Sequence, residues 1–354
     1  MPEAGAGWVQ LASDASRVVI VSSHGDPHVT DMVQALYEMS CTPFIVDSEA
    51  FPLDAALTLS LGDRSGRWHA QLELAHREVL DFRDIRSVWW RRPGHYFGIP
   101  TEFGEQQREF VKEEMTQAFY AAWKLPHVYW VNNPETVQPA NWKIEQLARA
   151  ARLGFEIPRT VVTNDPQVVR DFYDQCNGKM IYKVLSEPGL GAIAATEKHP
   201  ELQLESRRTL TTLIGREELK SIDSVRMAPG LFQEYVDKVL ELRVTVIGDD
   251  IFVAEIYSQE RDGTKVDWRN WAEGGLEIEY RAGSLPSDVQ DRCFEFVRSY
   301  GLNFSTMDIV VTADGRYVFL ENNANGNFIW VEKRLPELKL TAALAACLVR
   351  GTNS

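Results

Sequence analysis

Alternating apolar and polar positions divide the chain into short strands and amphipathic helices, beginning with a β-α-β unit. Residues 17–22 (Arg17-Val-Val-Ile-Val-Ser22) predict a buried parallel strand, residues 29–39 a helix, and residues 43–46 a second strand. The turn after the first strand lacks a Gly-x-Gly-x-x-Gly pattern, so a dinucleotide site is not expected there. The next segments predict two hairpin-like strands at 56–61 and 68–74, a strand at 85–90 and a helix at 102–125.

The pattern changes after Val131-Asn-Asn-Pro134, where a second part of the chain begins. Helices are predicted at 138–153, from Asp165 onward, at 288–300 and at 340–348. Strands are predicted at 157–163, 179–185 and 231–236, followed by a hairpin of 241–247 and 250–256. This order divides the chain into a loose tail (1–15), an N-terminal α/β domain (16–130), a central α+β lobe (131–228) and a C-terminal α+β lobe (229–354).

Residues 306–327 contain the strongest local signal, two β-rich runs that flank Asp314-Gly315. A two-residue turn there would pair Ala313 with Arg316 and bring Asp308 directly opposite Glu321. Asn323 follows on the same face of the strand. Like charges opposite each other in a ladder are destabilising, whereas a hard cation such as Mg²⁺ binds carboxylate and amide oxygens. Taken alone, the pair also fits a solvated acidic pair on an exposed strand.

Two lysines and a glycine-bearing loop are candidates for binding phosphate. Lys143 lies in the first turns of a predicted helix, where a solvated side chain is the usual interpretation. Lys183 points inward from an otherwise apolar strand, and a buried ammonium needs an anion. The loop Ser186-Glu-Pro-Gly-Leu-Gly191 follows directly, and its glycines allow backbone N–H groups to approach phosphate oxygens. It is not a Walker loop, which needs Gly-Lys-Ser/Thr before a helix.

Arg91 and Arg92 end a predicted strand and are followed by Pro93. Such a pair is suited to hold a carboxylate or to stack on a partner chain, and it equally fits an arginine pair that braces the domain.

Composition narrows the function classes. The 354 residues are 44% hydrophobic and 25% charged, as in an ordinary globular protein, and the formal net charge of −14 argues against a general binder of nucleic acid or anionic membranes. The four cysteines are scattered and predict buried thiols in a reducing compartment. No signal peptide or membrane-spanning run is present in the sequence, so a cytoplasmic protein is expected.

The order of these features resembles that of the ATP-grasp ligases, in which two α+β lobes grip ATP. The N-terminal half is most similar to the graspetide maturases related to the microviridin ligases, and in particular to their actinobacterial branch. The segments that carry this similarity are Phe44-Ile-Val-Asp-Ser-Glu-Ala-Phe-Pro52, the Trp68 hairpin, Ser87-Val-Trp-Trp-Arg-Arg-Pro93, Val131-Asn-Asn-Pro134, and Asp262-Gly263 with Val266-Asp-Trp-Arg269.

The resemblance implies a pre-ATP-grasp domain followed by an ATP-grasp fold, with ATP and Mg²⁺ as cofactors. It implies that Lys143 and Lys183 bind phosphates and that the loop with Ser186, Gly189 and Gly191 closes over them. Arg243 would neutralise the transferred phosphate, with Arg269 as a second partner. Asp308, Glu321 and Asn323 would bind Mg²⁺. The nucleotide base and ribose would be bordered by Gln233, Glu234, Tyr235, Val236, and Asp237 or Glu241.

The sequence departs from the family pattern at two points. Glu241-Leu-Arg243 stands where Asp-Ile-Arg is frequent, which leaves the ribose contact open. Asn323-Ala-Asn-Gly-Asn327 stands where Asn-Pro-Asn-Gly-Gln is frequent, and this change keeps the metal ligand.

The implied activity is ATP-dependent activation of Asp or Glu side chains in a ribosomal precursor peptide. A Thr or Ser hydroxyl, or a Lys amine, of the same peptide would then form an ester or an amide. Two alternatives remain open: an intermolecular ligase like the ribosomal-protein glutamate ligases, and a non-catalytic peptide-binding module. The resemblance places leader binding between Ala195 and Met227 and suggests a homodimer.

Overall fold

The computed structural model describes residues 17–22, 25–47, 50–62, 68–93, 99, 102–124, 127–186, 189–190, 207–208, 211–270 and 278–351. The chain forms two compact units. The first contains residues 1–133 together with 341–354, and the second contains residues 134–340. The predicted tail at residues 1–15 lies outside the described residues.

The first unit is built on a parallel four-stranded sheet. Its strands are β1 (Arg17–Ser22), β2 (Phe44–Asp47), β6 (Ile85–Arg92) and β7 (Tyr129–Val131), in the order β2-β1-β6-β7. The antiparallel strands β3 (Ala55–Leu61), β4 (Trp68–Leu74) and β5 (Val79–Asp81) form a second sheet. The parallel strands read as continuous apolar runs because both of their faces are buried, as residues 18–22 show.

The α-helices described in the first unit are α1 (Pro27–Glu38), α2 (Glu105–Lys124) and most of the C-terminal helix, α8 (Leu340–Arg350). Trp123 of α2 packs edge-on against Trp90 of β6, with 5.8 Å between ring centroids. Ser87 of β6 donates to the Leu348 carbonyl oxygen of α8 at 2.7 Å. The final helix thus packs on the N-terminal sheet, although the sequence placed it with the C-terminal lobe.

Arg91 braces the first unit from within. It is 1% exposed, and its Nε lies 3.2 Å from Asp26 Oδ2. Asp26 caps α1 by accepting from the His28 backbone N–H at 2.9 Å, and its Oδ1 lies 2.9 Å from His28 Nδ1. Burial raises the pKa of Asp26, but the His28 hydrogen bonds and the Arg91 charge outweigh it and hold that pKa well below its usual range. Arg92 is exposed.

The second unit contains two larger antiparallel sheets and a two-stranded ribbon. The first sheet has the order β12-β9-β13-β8, and the second has the order β16-β15-β14-β17-β18. The strands are β8 (Thr160–Thr163), β9 (Met180–Lys183), β10 (Gly189–Leu190), β11 (Arg207–Arg208), β12 (Thr212–Ile214), β13 (Gly230–Glu234), β14 (Leu240–Ile247), β15 (Asp250–Ile256), β16 (Tyr280–Gly283), β17 (Phe304–Val311) and β18 (Tyr317–Asn323).

Several helices of the described residues pack against these sheets. The α-helices described in this unit are α3 (Pro134–Ala140), α4 (Lys143–Arg152), α5 (Pro166–Gln175), α6 (Ser287–Ser299) and α7 (Ile329–Arg334), with a 3₁₀ helix at Glu218–Met227. The single helix predicted at 138–153 is divided at Asn141 and Trp142, so that Lys143 is the first residue of α4. The core under the five-stranded sheet joins residues of β14 and β17 to α6 and to Phe155.

Candidate nucleotide and magnesium site

The hairpin of β17 and β18 does place Asp308 opposite Glu321, but by a different route from the predicted one. The Thr312 N–H donates to the Arg316 carbonyl oxygen, which closes a three-residue loop with Gly315 at φ +84°. That loop alone would shift the ladder by one residue. A bulge between Phe319 and Glu321 supplies the compensating residue and restores the pairing.

The bulge also decides which side chains face the cleft. On β17, Met307 and Ile309 belong to the core, whereas Asp308 and Val310 line the cleft. On β18, Phe319 belongs to the core, and Leu320 and Glu321 both line the cleft. The extra residue therefore gives one strand an apolar side chain and a carboxylate on the same face.

Lys143 is fixed over Glu321 by the packing of α4 on β18. Gln146, one turn after Lys143, donates to the Asn322 carbonyl oxygen at 2.9 Å and accepts from the Asn322 N–H at 2.9 Å. Lys143 Nζ lies 3.3 Å from Glu321 Oε2. A lysine at a helix N-terminus opposes the helix dipole, which favours a functional reason for its position over a purely structural one.

Lys183 ends β9, and both Lys183 and Ile181 line the cleft, while Met180 packs in the core on the opposite face. Burial lowers the pKa of Lys183, and the negative charge of Glu321 acts in the opposite direction. Burial raises the pKa of Glu321, but Lys143, Lys183 and Arg269 together hold it well below its ordinary value. Glu321 is therefore an ionised carboxylate among three cations.

Arg243 of β14 is cross-strand neighbour of Asp308, and its Nη1 donates to Asp308 Oδ1 at 2.9 Å. Its Nη2 donates to the Asn327 carbonyl oxygen at 3.4 Å. Gly326 allows this approach, because a Cβ there would overlap Thr306 Oγ1 and lie 2.9 Å from Arg243 Nη2. The Nε of Arg243 is buried without a hydrogen-bond partner among the described residues.

Asn323 pairs with Thr306, two positions beyond Glu321, so the alternation of β18 sets it on the face of Glu321. Its Oδ1 accepts from the Asn325 N–H at 3.2 Å. Two carboxylates and one amide oxygen form a donor set that suits Mg²⁺.

The end of β13 forms the other wall of the cleft, which contains Gln233, Glu234, Tyr235 and Val236. Gln233 is 1% exposed, and its Nε2 donates to Thr160 Oγ1 at 3.0 Å. Its Oε1 is buried without a partner among the described residues, which suits an amino donor from a ligand. The Glu234 carboxylate is held by Arg159, at 2.6 Å from Arg159 Nε, and so contributes mainly its backbone to the cleft.

The two candidates for the ribose contact lie in different environments. Asp237 is at the surface, where its carboxylate pairs with Lys179 at 2.6 Å. Glu241 lines the cleft, but its Oε1 already accepts from Ser258 Oγ at 2.6 Å and lies 3.0 Å from Lys238 Nζ.

Arg269 is held in the cleft wall by Asp267. Its Nε and Nη2 donate to the two carboxylate oxygens at 2.8 Å and 2.5 Å. Burial raises the pKa of Asp267, but the hydrogen bonds and charge of Arg269 outweigh it and lower that pKa to about 2. Negative charge from Asp267, Glu321 and Asp308 raises the pKa of Arg269 against the effect of burial.

About half of the residues that line the cleft were not predicted from the sequence. The missed residues are Ile181, Thr211, Lys238, Val266, Asp267, Trp268, Val310 and Leu320. Ile181 and Val310 lie two positions from predicted site residues on the same strand, and this spacing would have identified them. Ser186 is exposed, Gly189 is described only through its backbone in β10, and Gly191 lies outside the described residues.

The residues present fit a magnesium nucleotide. The cleft joins an unpaired buried carbonyl oxygen, apolar walls, five cationic side chains at or next to its lining, and a carboxylate pair. Such a combination suits the base at one end and the phosphates with their cation at the other.

Comparisons with known proteins agree with this geometry. Residues 17–138 match the family model of the MvdD pre-ATP-grasp domain. The macrocyclase MdnC from Microcystis aeruginosa MRC, bound to its precursor peptide MdnA, is 27% identical, with a TM-score of 0.79 over 94% of this chain and 99% of that one. A search of curated proteins found no match.

Two further structures share the fold. A Chryseobacterium gregarium RiPP-associated ATP-grasp ligase, with ADP and a leader and core peptide, is 23% identical with a TM-score of 0.84, over 96% of this chain and 99% of that one. PsnB, in complex with Mg, ADP and a phosphomimetic precursor variant, is 23% identical with a TM-score of 0.67, over 95% of this chain and 98% of that one.

The chain therefore has the ATP-grasp fold, and residues 17–138 match a pre-ATP-grasp domain. The predicted similarity to ATP-grasp ligases that bind precursor peptides is confirmed. The prediction of ATP and Mg²⁺ as cofactors agrees with the ADP and Mg present in related structures. No helix in the described part of the chain is long and apolar enough to cross a membrane.

Proposed function

We propose that this protein activates Asp or Glu side chains of a ribosomal precursor peptide with ATP and closes intramolecular bonds within that peptide. The observation that carries the proposal is the arrangement of Asp308 and Glu321 beside Lys143, Lys183 and Arg243 in one cleft.

The proposed reaction has two steps. A carboxylate oxygen of the peptide attacks the γ-phosphorus of ATP, the bond to ADP breaks, and an acyl phosphate forms. A Thr or Ser hydroxyl then attacks the acyl carbon, phosphate leaves, and the hydroxyl proton leaves with it. Each ester formed removes one water from the peptide. A Lys amine in place of the hydroxyl gives an amide.

The residues of the cleft have separate tasks. Lys143 and Lys183 would hold the phosphates, since both lie next to Glu321. Arg243 would neutralise the charge of the transferred phosphoryl group, and Arg269 would assist it. Gln233 and the backbone from Glu234 to Val236 would border the base. Mg²⁺, held by Asp308, Glu321 and Asn323, would shield the phosphate charge from the attacking carboxylate.

The peptide partner is supported by the precursor-bound structures of MdnC, PsnB and the Chryseobacterium ligase. We also propose a cytoplasmic location, where ATP and ribosomal precursors are both present. Homodimer formation stays a prediction. The leader region expected between Ala195 and Met227 also stays a prediction, and it lies partly outside the described residues.

The test is to incubate the protein with ATP, Mg²⁺ and a Thr- and Asp/Glu-rich peptide encoded beside its gene. We expect peptide mass to fall by one water per bond, with one ADP and one phosphate released each time. Mild alkali should reopen esters and restore the lost mass, whereas amides should resist it. ADP release without mass loss would contradict the proposal.

The same experiment separates the alternatives. An intermolecular ligase would add mass to its acceptor, and a peptide-binding module would not turn ATP over. A parallel reaction with Glu321→Ala shows whether the mass change depends on the proposed metal site.

A further inference from the structure

A buried network of polar side chains joins β14 to residues 258–269, the segment that carries Asp267 and Arg269 into the cleft. Lys238 and Glu241 form an ion pair at 3.0 Å, with side chains only 5% and 11% exposed. Ser258 is fully buried and donates to the same Glu241 oxygen at 2.6 Å. Charged groups buried to this degree need partners, and these three provide them for one another.

The network continues along the segment toward Asp267. Thr264 Oγ1 donates to the Ser258 carbonyl oxygen at 2.6 Å, and Gln259 Nε2 donates to the Lys265 carbonyl oxygen at 3.1 Å. Lys238 Nζ also approaches the Val266 carbonyl oxygen at 3.4 Å. The residues before Asp267 are therefore fixed from the side of β14.

Asp267 links this fixed segment to the Arg269 side chain. It is 4% exposed, accepts from the Thr211 N–H at 3.1 Å, and holds the Arg269 guanidinium through both carboxylate oxygens. The Arg269 side chain therefore depends on the backbone path of residues 258–267.

We infer that Glu241, with Lys238 and Ser258, positions the Arg269-bearing segment. The inference rests on the proposed function only for the role of Arg269 with the peptide. Ser258 Oγ and Lys238 Nζ both contact Oε1 of Glu241, so this one carboxylate oxygen joins the start of the segment to the strand that carries Arg243. Burial raises the pKa of Glu241 against the effects of Lys238 and Ser258, which agrees with a carboxylate enclosed by protein.

The first test uses hydrogen exchange in the full-length protein without peptide. Ser258→Ala should accelerate amide exchange in residues 258–269 and leave β14 and β17 unchanged. Ser87→Ala is the matched control, because Ser87 is also fully buried and donates one hydrogen bond, to Leu348 of the first unit. Unchanged exchange in residues 258–269 would overturn the inference, whatever the substrate is.

The second test applies the same measurement to Glu241. Glu241→Gln should accelerate amide exchange in residues 258–269, because the neutral amide pairs less strongly with Lys238. Unchanged exchange in this segment would show that Glu241 does not hold it, and the inference would be wrong. Exchange is measured without peptide, so this test does not need a peptide reaction.

The third test couples the network to Arg269. Ser258→Ala should lower kcat for the peptide about tenfold, since small displacements of a positioning group are costly, with little change in the KM for ATP. In an Arg269→Ala background the same substitution should change kcat by less than about twofold. Independent, multiplying effects would show that Ser258 does not act through Arg269.

Discussion

Glu321 is the residue on which the candidate metal site depends most. It is ionised among Lys143, Lys183 and Arg269, and it faces Asp308 across the ladder. If Asp308 and Glu321 bind a metal ion, ATP turnover depends on both carboxylates. If they are only a solvated acidic pair, turnover depends on neither. Substitution of Glu321 therefore separates the two interpretations.

Glu321→Ala should abolish ATP turnover while the fold remains intact. Loss of a neighbour of metal ligands typically costs 10- to 100-fold in activity, so loss of a ligand should cost at least about 100-fold. ADP release at saturating Mg²⁺ measures the effect, and circular dichroism checks the fold. Glu337→Ala, an exposed carboxylate of the same unit, should retain activity. Full activity in Glu321→Ala would refute the metal-site interpretation.

Gly326 is required by the close approach of Arg243 and Thr306. Gly326→Ala should lower turnover and reduce the free energy of unfolding by about 1–3 kcal/mol, because the new Cβ has no room beside buried groups. Gly104→Ala is the control, since a Cβ there meets nothing closer than 3.6 Å. Urea unfolding and ADP release measure the two effects. A variant as active and stable as wild type would show that Arg243 can move without loss.

Residue types and spacing indicated some of the charged residues that line the cleft. Lys183 was singled out because a lysine in an apolar strand needs an anion, and Asp308 and Glu321 because the predicted hairpin places like charges opposite each other. The role of Arg243 was implied by the family resemblance. Lys238 was missed because the sequence places it in a connection between strands, where lysines are usually solvated. The Arg159–Glu234 contact joins residues 75 positions apart and has no local signal.

At the scale of elements, the pairing of Asp308 with Glu321 in the hairpin of β17 and β18 was predicted correctly, although the predicted turn was wrong. The sequence Asp314-Gly315 predicted a two-residue loop, and the three-residue loop was offset by the bulge at Leu320. The order of most strands and helices along the chain, and their approximate bounds, followed from periodicity. The order of the strands within each sheet was not predicted. The bulge did not, because nothing in Phe319-Leu-Glu321 distinguishes a bulged strand from a regular one.

The bulge predicts separable roles for its two side chains. Leu320→Ala should raise the KM for ATP about tenfold with little change in kcat, because it removes apolar contact made equally in the ground and transition states. Glu321→Ala should instead abolish turnover. Steady-state ADP release gives both constants. Leu61→Ala, at a position 79% exposed, is the control. An unchanged KM in Leu320→Ala would mean that Leu320 does not contact the nucleotide.

At the scale of the whole molecule, this acidic protein brings several lysine and arginine side chains together in one cleft. The net charge is −14, yet Lys183, Lys238 and Arg269 line one cleft, and Lys143 and Arg243 pair with its carboxylates. The overall charge argues against a general binder of nucleic acid or anionic membranes, but it does not indicate this local group of cations. The start of the second unit at Pro134 lies close to the predicted boundary at residue 131, because β-α-β and hairpin-rich segments differ in periodicity. The predicted division of residues 131–354 into two lobes stays a prediction. The grouping of the final helix with the first unit was not, because an apolar helix can cover either sheet.

A substitution of Arg91 in the first unit tests whether the stability of the protein can change while nucleotide binding stays the same. Arg91 is buried against Asp26 and His28, so Arg91→Leu leaves a buried carboxylate without its cation. The free energy of unfolding measured in urea should fall by about 3–5 kcal/mol. Arg92→Ala, at the exposed neighbouring position, should change it by less than about 0.5 kcal/mol.

The folded fraction of Arg91→Leu should still bind ATP with the wild-type Kd, because every residue found to line the cleft belongs to the second unit.

The effect of Arg91→Leu on the free energy of unfolding should also depend on pH. The pKa of Asp26 is lowered in the folded protein, so its contribution to stability is present above the pKa of an unfolded Asp, about 3.9, and is lost as the pH falls further. Burial lowers the pKa of His28 and the charge of Arg91 lowers it further, so His28 is protonated more easily beside Asp26 in Arg91→Leu. The difference between wild type and Arg91→Leu should therefore be largest near pH 7, decrease as His28 is protonated, and decrease further in stronger acid as Asp26 is protonated. If Arg91→Leu is as stable as wild type but no longer processes the peptide, then Arg91 holds a substrate carboxylate, and the bracing role assigned to it is wrong.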